Sequence, residues 1–374
     1  MCGRSPVPGE KIELRFNGET GEAFYSGLAT CGSVWVCPVC AARISGERRE
    51  ELRAALRIAE HARLGYALAT FTLQHTPQDS LEALNEALNE AYRKTKSGRA
   101  WQEFVERWGL VGTVTAYEVT RGPAGWHPHK HVLLFFTRAL SEAELAEVRE
   151  WLAARFGAQL HKLGRYASPI HGVDVRSTSA AVDYVTKWGL EGELTGSESK
   201  NGHGHTPFQL LALYEQGDKS AGAAFREYAE ATKGLAQLRW SKGLKATLAA
   251  LVAPDLEPES ALDLVALVAQ YLPEVETPEA ELPERETWAV SLEFAWPVVL
   301  RARARGRLLE VARSGDLMRV LDFLEGIGAD MSGTYGLREL ERQRSAVALS
   351  ALEHSLLYTE ALRALECGDY IETA

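Results

Sequence analysis

The sequence predicts an α+β protein whose middle is built on a β-α-β-β-α-β run. Three observations predict it. Helix-like and strand-like segments alternate between residues 66 and 189. Two β-rich segments, 110–119 and 127–136, are joined by the short Gly/Pro stretch "TRGPAGW". The second of them ends in "VLLFF", an unbroken apolar run expected of a strand covered on both faces.

The elements follow in order. "YALATFTL" (66–73) is the first strand, and residues 79–108 are helical. "LVGTVTAYEV" (110–119) and "HPHKHVLLFF" (127–136) are the second and third strands. "SEAELAEVREWLAARFG" (141–157) is a helix opened by Ser141, with Glu144 three residues later as the other half of a capping box. "IHGVDVR" (170–176) is a short strand, and "STSAAVDYVTKWG" (177–189) is a helix with hydroxyl caps before it and Gly189 behind. This is the ferredoxin-like order, in which the first and third strands are central and the second pairs with the third. Upstream, residues 45–65 read as a capped amphipathic helix.

Composition is that of an ordinary globular protein, and 374 residues suffice for two or three domains. The net charge of −10 argues against a nucleic-acid partner only as an average. Residues 1–250 carry 30 Lys+Arg against 28 Asp+Glu, and residues 251–374 carry 11 against 23, so the acidity sits at the C-terminal end. Five prolines between Pro254 and Pro283, among acidic residues, mark a linker over 251–286 with one helix at about 259–271. From Trp288 onward the chain is Ala/Leu/Glu/Arg-rich and helical in period; residues 313–328 fit half of a helix-turn-helix and an ordinary helix pair equally well. Apolar runs of membrane-spanning length and the features of a signal peptide are both missing, so a cytoplasmic protein with no membrane partner is expected.

Four of the five cysteines, Cys2, Cys31, Cys37 and Cys40, lie near the N-terminus, three of them spaced C-x5-C-x2-C. In a reducing compartment such clustering favours a metal over disulfides, and four thiolates make a closed, structural zinc set.

His127, His129 and His131 alternate along the third strand and therefore share a face. Aligned imidazoles point to a common divalent metal more readily than to a surface cluster that would repel itself at low pH. Glu118, near the end of the neighbouring strand and across the short loop, is the natural third ligand, and a two-His, one-carboxylate set leaves positions open for substrate. Of the three histidines, His127 stands at the strand entrance. Tyr184 sits on the helix after the fourth strand, with Lys187 at i+3 on the same helical face. A metal and a lysine nearby would favour the phenolate, making the tyrosine a nucleophile for a phosphodiester. Arg239, Trp240, Lys242 and Lys245 form a basic and aromatic patch suited to phosphates and stacked bases. His203 and His205, in "NGHGHTPF", suit a DNA-contacting or solvated loop better than a rigid ligand pair.

The ordered set "CGSVWVCPVCAARI", "TAYEVTRG", "GWHPHKHVLLFF", "DYVTKWG", "HTPFQLL" and "KGLAQLRWSKGL" resembles plasmid rolling-circle replication initiators, the Rep proteins of the HUH endonuclease superfamily, over roughly residues 1–245. The resemblance implies that His129 and His131 hold a divalent metal (manganese or magnesium), that Tyr184 nicks origin DNA, single-stranded or extruded as a hairpin, and that the freed 3′ end primes synthesis. Together with the composition, four regions are expected: a zinc-binding segment 1–45, a nicking-joining catalytic domain 46–250, the acidic linker 251–286 and a helical region 287–374. Two positions depart from the family pattern. Lys130 stands where a bulky apolar residue is usual, and Trp188 where some relatives have a second tyrosine. A single-tyrosine enzyme would end its cycle with a carboxylate activating water; Asp183, Glu191 and Asp174 are all candidates. The acidic C-terminal part is a candidate surface for a host helicase, polymerase or second subunit. Three rival readings share parts of this chemistry: a transposase of the same type, a non-catalytic zinc-containing DNA-binding regulator, and a metal hydrolase of small phosphoesters.

Overall fold

Alternating apolar residues start the fold. Leu14 and Phe16 are wholly buried on strand β1 (Glu13–Asn17), which pairs antiparallel with β2 (Glu22–Ser26). The chain is described here from a computed structural model over residues 2–18, 21–187, 204–254, 263–272 and 287–329. It divides into two compact units, Met1–Cys31 with Glu276–Ala374, and Gly32–Val275.

The larger unit opens with helix α1 (Pro38–His61). The helix begins seven residues before the start expected from periodicity, because Pro38 at its first position supplies a preset φ and lacks an N–H that would have gone unpaired anyway. The C-P-V-C segment is therefore a helix start: Cys37 is the N-cap and Cys40 is buried in the first turn. Strand β3 (Gly65–Thr72) follows, then α2 (Leu81–Thr95) and α3 (Arg99–Trp108). These two replace the single expected helix of 79–108, with the break at Gly98, which has a positive φ of 74°. β4 (Leu110–Gly122) and β5 (Gly125–Phe136) form a long hairpin. They run further toward each other than expected, so only Pro123 and Ala124 turn between them. Gly125 is required there: its φ is 94°, and a Cβ would lie 2.8 Å from the Thr76 carbonyl oxygen. Next come α4 (Glu142–Lys162), β6 (Val173–Arg176), α5 (Thr178–Lys187), α6 (Pro207–Glu215) and α7 (Lys219–Ala231). β7 (Leu238–Trp240), α8 (Leu244–Val252) and α9 (Leu264–Tyr271) complete the unit. The capping box at α4 is formed as expected, Ser141 and Glu144 serving each other's backbone. Of the expected helix at 259–271, residues 259–262 lie outside the described residues.

All neighbouring strands of the five-stranded sheet are antiparallel, in the order β6-β3-β5-β4-β7. The sheet is covered on both faces, which is why "VLLFF" has no polar position. Val132, Leu134 and Phe136 pack with α2, α4 and α7, while Leu133 and Phe135 pack with α1, α5 and α8. Phe135 is fully buried. We expect Phe135→Ala to cost about 3–5 kcal/mol in transfer and cavity energy, read as a lower urea midpoint at an unchanged slope.

In the smaller unit β1 lies between β2 and β8 (Trp288–Ser291), with Phe16 stacked on Trp288 at 5.6 Å. Helices α10 (Trp296–Arg301), α11 (Arg305–Ala312) and α12 (Leu317–Gly326) close over that sheet through Trp296, Leu308, Val320 and Leu324. The N-terminal strands thus share a core with the C-terminal region, whereas the expected boundaries kept 1–45 and 287–374 apart. Pairing between segments so distant in sequence leaves no trace in local periodicity. No helix among the described residues is long and apolar enough to cross a membrane.

Candidate metal and nucleophile centre

Register decides what the histidine strand faces. β5 is flanked by β3 and β4, so Thr72, His129 and Glu118 share one row, and Thr70, His131 and Ala116 the next. Directly paired residues point to the same face. Glu118 therefore stands beside both imidazoles, as its place in the hairpin implied.

Hydrogen bonds orient the rings. His129 Nδ1 lies 3.2 Å from the His127 carbonyl oxygen. A carbonyl only accepts, so Nδ1 keeps the proton and the neutral ring carries its lone pair on Nε2. His131 Nδ1 is held by the Thr70 hydroxyl at 3.0 Å. The two Nε2 atoms then converge on Glu118 Oε2, at 3.4 Å from His129 and 3.5 Å from His131. All three ligand atoms lie within 4.8 Å of one another. These separations are longer than a charge-assisted hydrogen bond of about 2.7–2.9 Å. They approach the spacing of about 2.9–3.4 Å between two ligands held at about 2.0–2.1 Å on one ion. Three electron-rich atoms facing one another call for a positive particle between them, a proton or a metal ion. The donor set fits a divalent cation, and a third of the Glu118 side chain remains exposed for access.

Tyr184 closes the other side. Helix α5 sets its ring 4.6 Å from that of His131, and its hydroxyl donates to Glu118 Oε1 at 2.7 Å. Glu118 thus divides its oxygens, Oε2 to the imidazoles and Oε1 to the phenol. Burial works against the Glu118 charge, but the hydrogen bond that a protonated His129 donates, the charges of the protonated His131 and His129 rings and the Tyr184 hydroxyl outweigh it and hold the carboxyl at about 2. Burial, opposed by Glu118 and aided by His129 and Arg176, lowers His131 to about 4 and keeps it neutral at ordinary pH. Burial, then the Glu118 charge and hydrogen bond, push the Tyr184 phenol well above its ordinary value. In the chain alone the bias is therefore away from phenolate, opposite to the expected direction, and a cation beside Glu118 is what would offset it.

The other predicted residues are distributed as follows. His127 is on the same face, its ring 5.2 Å from that of His129, and its Nδ1 lies 3.0 Å from His75 Nε2. It is not in the converging three. Asp174 sits opposite Thr70 in the His131 row, paired with Arg176 at 2.6 Å. Asp183 is exposed on α5. Glu191, Trp188, His203 and the Lys187 side chain lie outside the described residues. His205 bridges to Arg121 on the β4 edge. Lys130 points to the opposite face, as expected; it is only 7% exposed, with its Nζ 5.4 Å from the ring centres of Tyr92 and Tyr117. The expected basic patch is divided by the sheet. Arg239 and Trp240 are successive residues of β7 and face opposite sides. Lys245 lies over Trp240 at 5.0 Å and is ion-paired with Glu51, and Lys242 is exposed. The cysteines divide between the units: Cys31 N donates to Cys2 Sγ at 3.4 Å in one, and Cys37 and Cys40 open α1 in the other. Reading the sequence missed Thr70 and His75. Both lie on or just past an apolar strand, and only the register shows that they reach histidines.

Comparison with known proteins finds relatives of parts of this chain. Residues 27–154 match the Rep_1 family of replication proteins, a stretch that includes Cys31, Cys37, Cys40, Glu118 and the histidine strand and ends before Tyr184. More particularly, the chain is 28% identical over 302 residues to "Protein rep" of Streptomyces lividans, covering 61% of this chain and 65% of that one. It is also 35% identical over 140 residues to a "Neomycin resistance protein" of Streptomyces cyanogenus, covering 30% of this chain and 32% of that one. The chain thus spans about two thirds of one relative's length and one third of the other's. No solved structure matches. The resemblance to plasmid replication initiators carried by the motifs is therefore met again in the family match and in the Streptomyces lividans relative.

Proposed function

We propose that the chain initiates rolling-circle replication of a plasmid by nicking one strand of its origin, and that residues 32–275 are a ferredoxin-like HUH nicking-joining domain. The observation that carries this is the Tyr184 hydroxyl 2.7 Å from a carboxylate whose other oxygen faces two imidazoles. Glu118, His129 and His131 would hold a divalent manganese or magnesium ion, which supplies Lewis-acid polarisation of a phosphodiester oxygen when bound. The remaining work belongs to side chains. Glu118 Oε1 accepts the phenol hydrogen bond and so orients Tyr184 Oη, and the phenol proton passes to solvent water. Tyr184 Oη forms a bond to phosphorus as the bond from phosphorus to the 3′ oxygen breaks, and that oxygen takes a proton from solvent water to become the 3′ hydroxyl primer. The 5′ end is left as a phosphotyrosine ester, so the strand can be rejoined by the reverse transfer. Among carboxylates for a terminating water, Asp174 is favoured over Asp183, because it shares the His131 row. The partner is origin DNA, single-stranded or extruded; a host helicase or polymerase would meet another part of the chain.

The test is direct. The chain is incubated with manganese and single-stranded oligonucleotides tiled over the DNA that carries its gene. The expected product is a protein–DNA adduct that survives denaturant and is absent with EDTA. Cleavage without adduct would favour plain metal hydrolysis instead.

We further propose that Cys2, Cys31, Cys37 and Cys40 hold a structural zinc, on the strength of their spacing and thiolate chemistry. Purified protein should carry one zinc by atomic emission, and Cys40→Ser should lose it. A metal-free wild-type chain with undiminished stability would end that reading.

A further inference from the structure

The hairpin and the loops around it frame a second feature next to the proposed nicking centre. A cleft of about 550 Å³ opens at the end of β3, between residues 73–79 and the 164–166 segment that follows α4. His75 is its shared wall with the centre. Its Nδ1 lies 2.9 Å from the Ala124 carbonyl and so must donate to it. Its Nε2 then accepts from His127 Nδ1 at 3.0 Å. The rings of His127 and His129 stand 5.2 Å apart, and those of His129 and His131 4.8 Å. A run of adjoining imidazoles therefore leads from the cleft to Glu118.

The cleft walls are fixed in place. Gln74 N donates to the Tyr166 carbonyl at 2.9 Å, docking the 164–166 segment on the strand end. Arg165 pairs with Asp79 at 2.5 Å, and Asp79 also receives the Thr76 N–H at 2.8 Å and the Thr76 hydroxyl at 2.9 Å. Upon this frame Tyr166 is 59% exposed, with its ring in an edge contact with that of His161 at 5.9 Å. Gln74, exposed beside it, makes no side-chain hydrogen bond among the described residues.

This chemistry selects its ligand. Asp79 already neutralises Arg165, so the cleft is not a site for an isolated phosphate. An exposed ring, an uncommitted amide and a fixed pattern of donors and acceptors suit a flat group with a polar edge. We infer that the cleft is a nucleobase subsite that holds one base of the single strand close to the nick, with Tyr166 as its stacking platform and Gln74 at the base's edge. The inference rests on the strand-nicking reading above.

The test measures binding of the full chain to a fluorescent single-stranded oligonucleotide in EDTA, where binding is separated from cutting. Stacking of one base is worth about 1–3 kcal/mol, so Tyr166→Ala should weaken binding about ten-fold. Tyr166→Trp should restore most of the loss. An abasic nucleotide, stepped through the oligonucleotide, should find one position near the nick where wild type loses about ten-fold and Tyr166→Ala loses nothing further. Equal binding by wild type and Tyr166→Ala, or an abasic profile identical in both, overturns the subsite. The same oligonucleotide with manganese reports the parent reading separately: binding that depends on Tyr166 without any adduct would sink the nicking chemistry and leave the subsite standing.

Discussion

Tyr184→Phe is expected to lower the yield of denaturant-stable adduct by about 10³-fold or more while leaving the chain folded and able to bind metal. The substitution removes one atom. The ring stays 4.6 Å from His131 and keeps its packing against the core that α5 helps to form. What disappears is the hydroxyl, and with it the hydrogen bond to Glu118, whose loss costs about 1 kcal/mol. Such a cost is too small to unfold a domain, so a missing adduct would report chemistry. The measurement is a denaturing gel of protein incubated with labelled single strand and manganese. An undiminished adduct in the Phe variant would mean that another nucleophile attacks. Tyr66 and Tyr117 make poor substitutes: Tyr66 donates to Glu60 and Tyr117 is hydrogen-bonded to Asn85, and both are buried.

Much of this centre could be read from the residues, for a physical reason. A short hairpin fixes which residues face one another, so Glu118 beside His129 follows from the brevity of the Gly/Pro turn. Period-two alternation then puts His131 on the same face. The apolar run after His131 announces a central strand, which is where β5 lies, between β3 and β4. Thr70 was not legible, because contact with His131 depends on the register of β3 against β5, and "YALATFTL" permits several registers. His75 lies beyond the strand, where a hydrogen bond to Ala124 depends on how closely the hairpin tip approaches Thr76 and Pro77. That approach is set by Gly125, whose positive φ no pattern rule records. The basic patch failed for the opposite reason. Adjacent strand residues look like neighbours in sequence, yet the sheet separates Arg239 from Trp240. The smaller unit shows the limit of local reading, since the partner of Phe16 is Trp288.

The second large effect concerns the cation, and it can be measured without DNA. Binding to the folded chain alone stabilises it by about 2.7 kcal/mol at a metal concentration 100 times Kd, which corresponds to a rise in Tm of about 5–10 °C. Glu118→Gln should abolish most of that rise. The amide keeps the shape but has no charge, so the corner loses its anion and metal affinity falls about 100-fold or more; Thr70→Val, which only releases the Nδ1 of His131, should cost about 10–100-fold. The metal-free chain supplies the control through pH. Glu118, held at about 2 against an ordinary 4.5, binds a proton less readily folded than unfolded. Its contribution to stability is thus present above pH 4.5 and lost as pH falls toward 2. His131, held at about 4 against an ordinary 6.5, penalises the folded state in the same direction between those two values. Wild type should therefore lose stability progressively below pH 6.5, His131→Ala should flatten the upper part of that slope, and Glu118→Gln the lower part. Manganese at neutral pH that raises the Tm of Glu118→Gln as far as that of wild type would show the ion binding elsewhere, because a site lacking its carboxylate cannot retain the full affinity of one that has it.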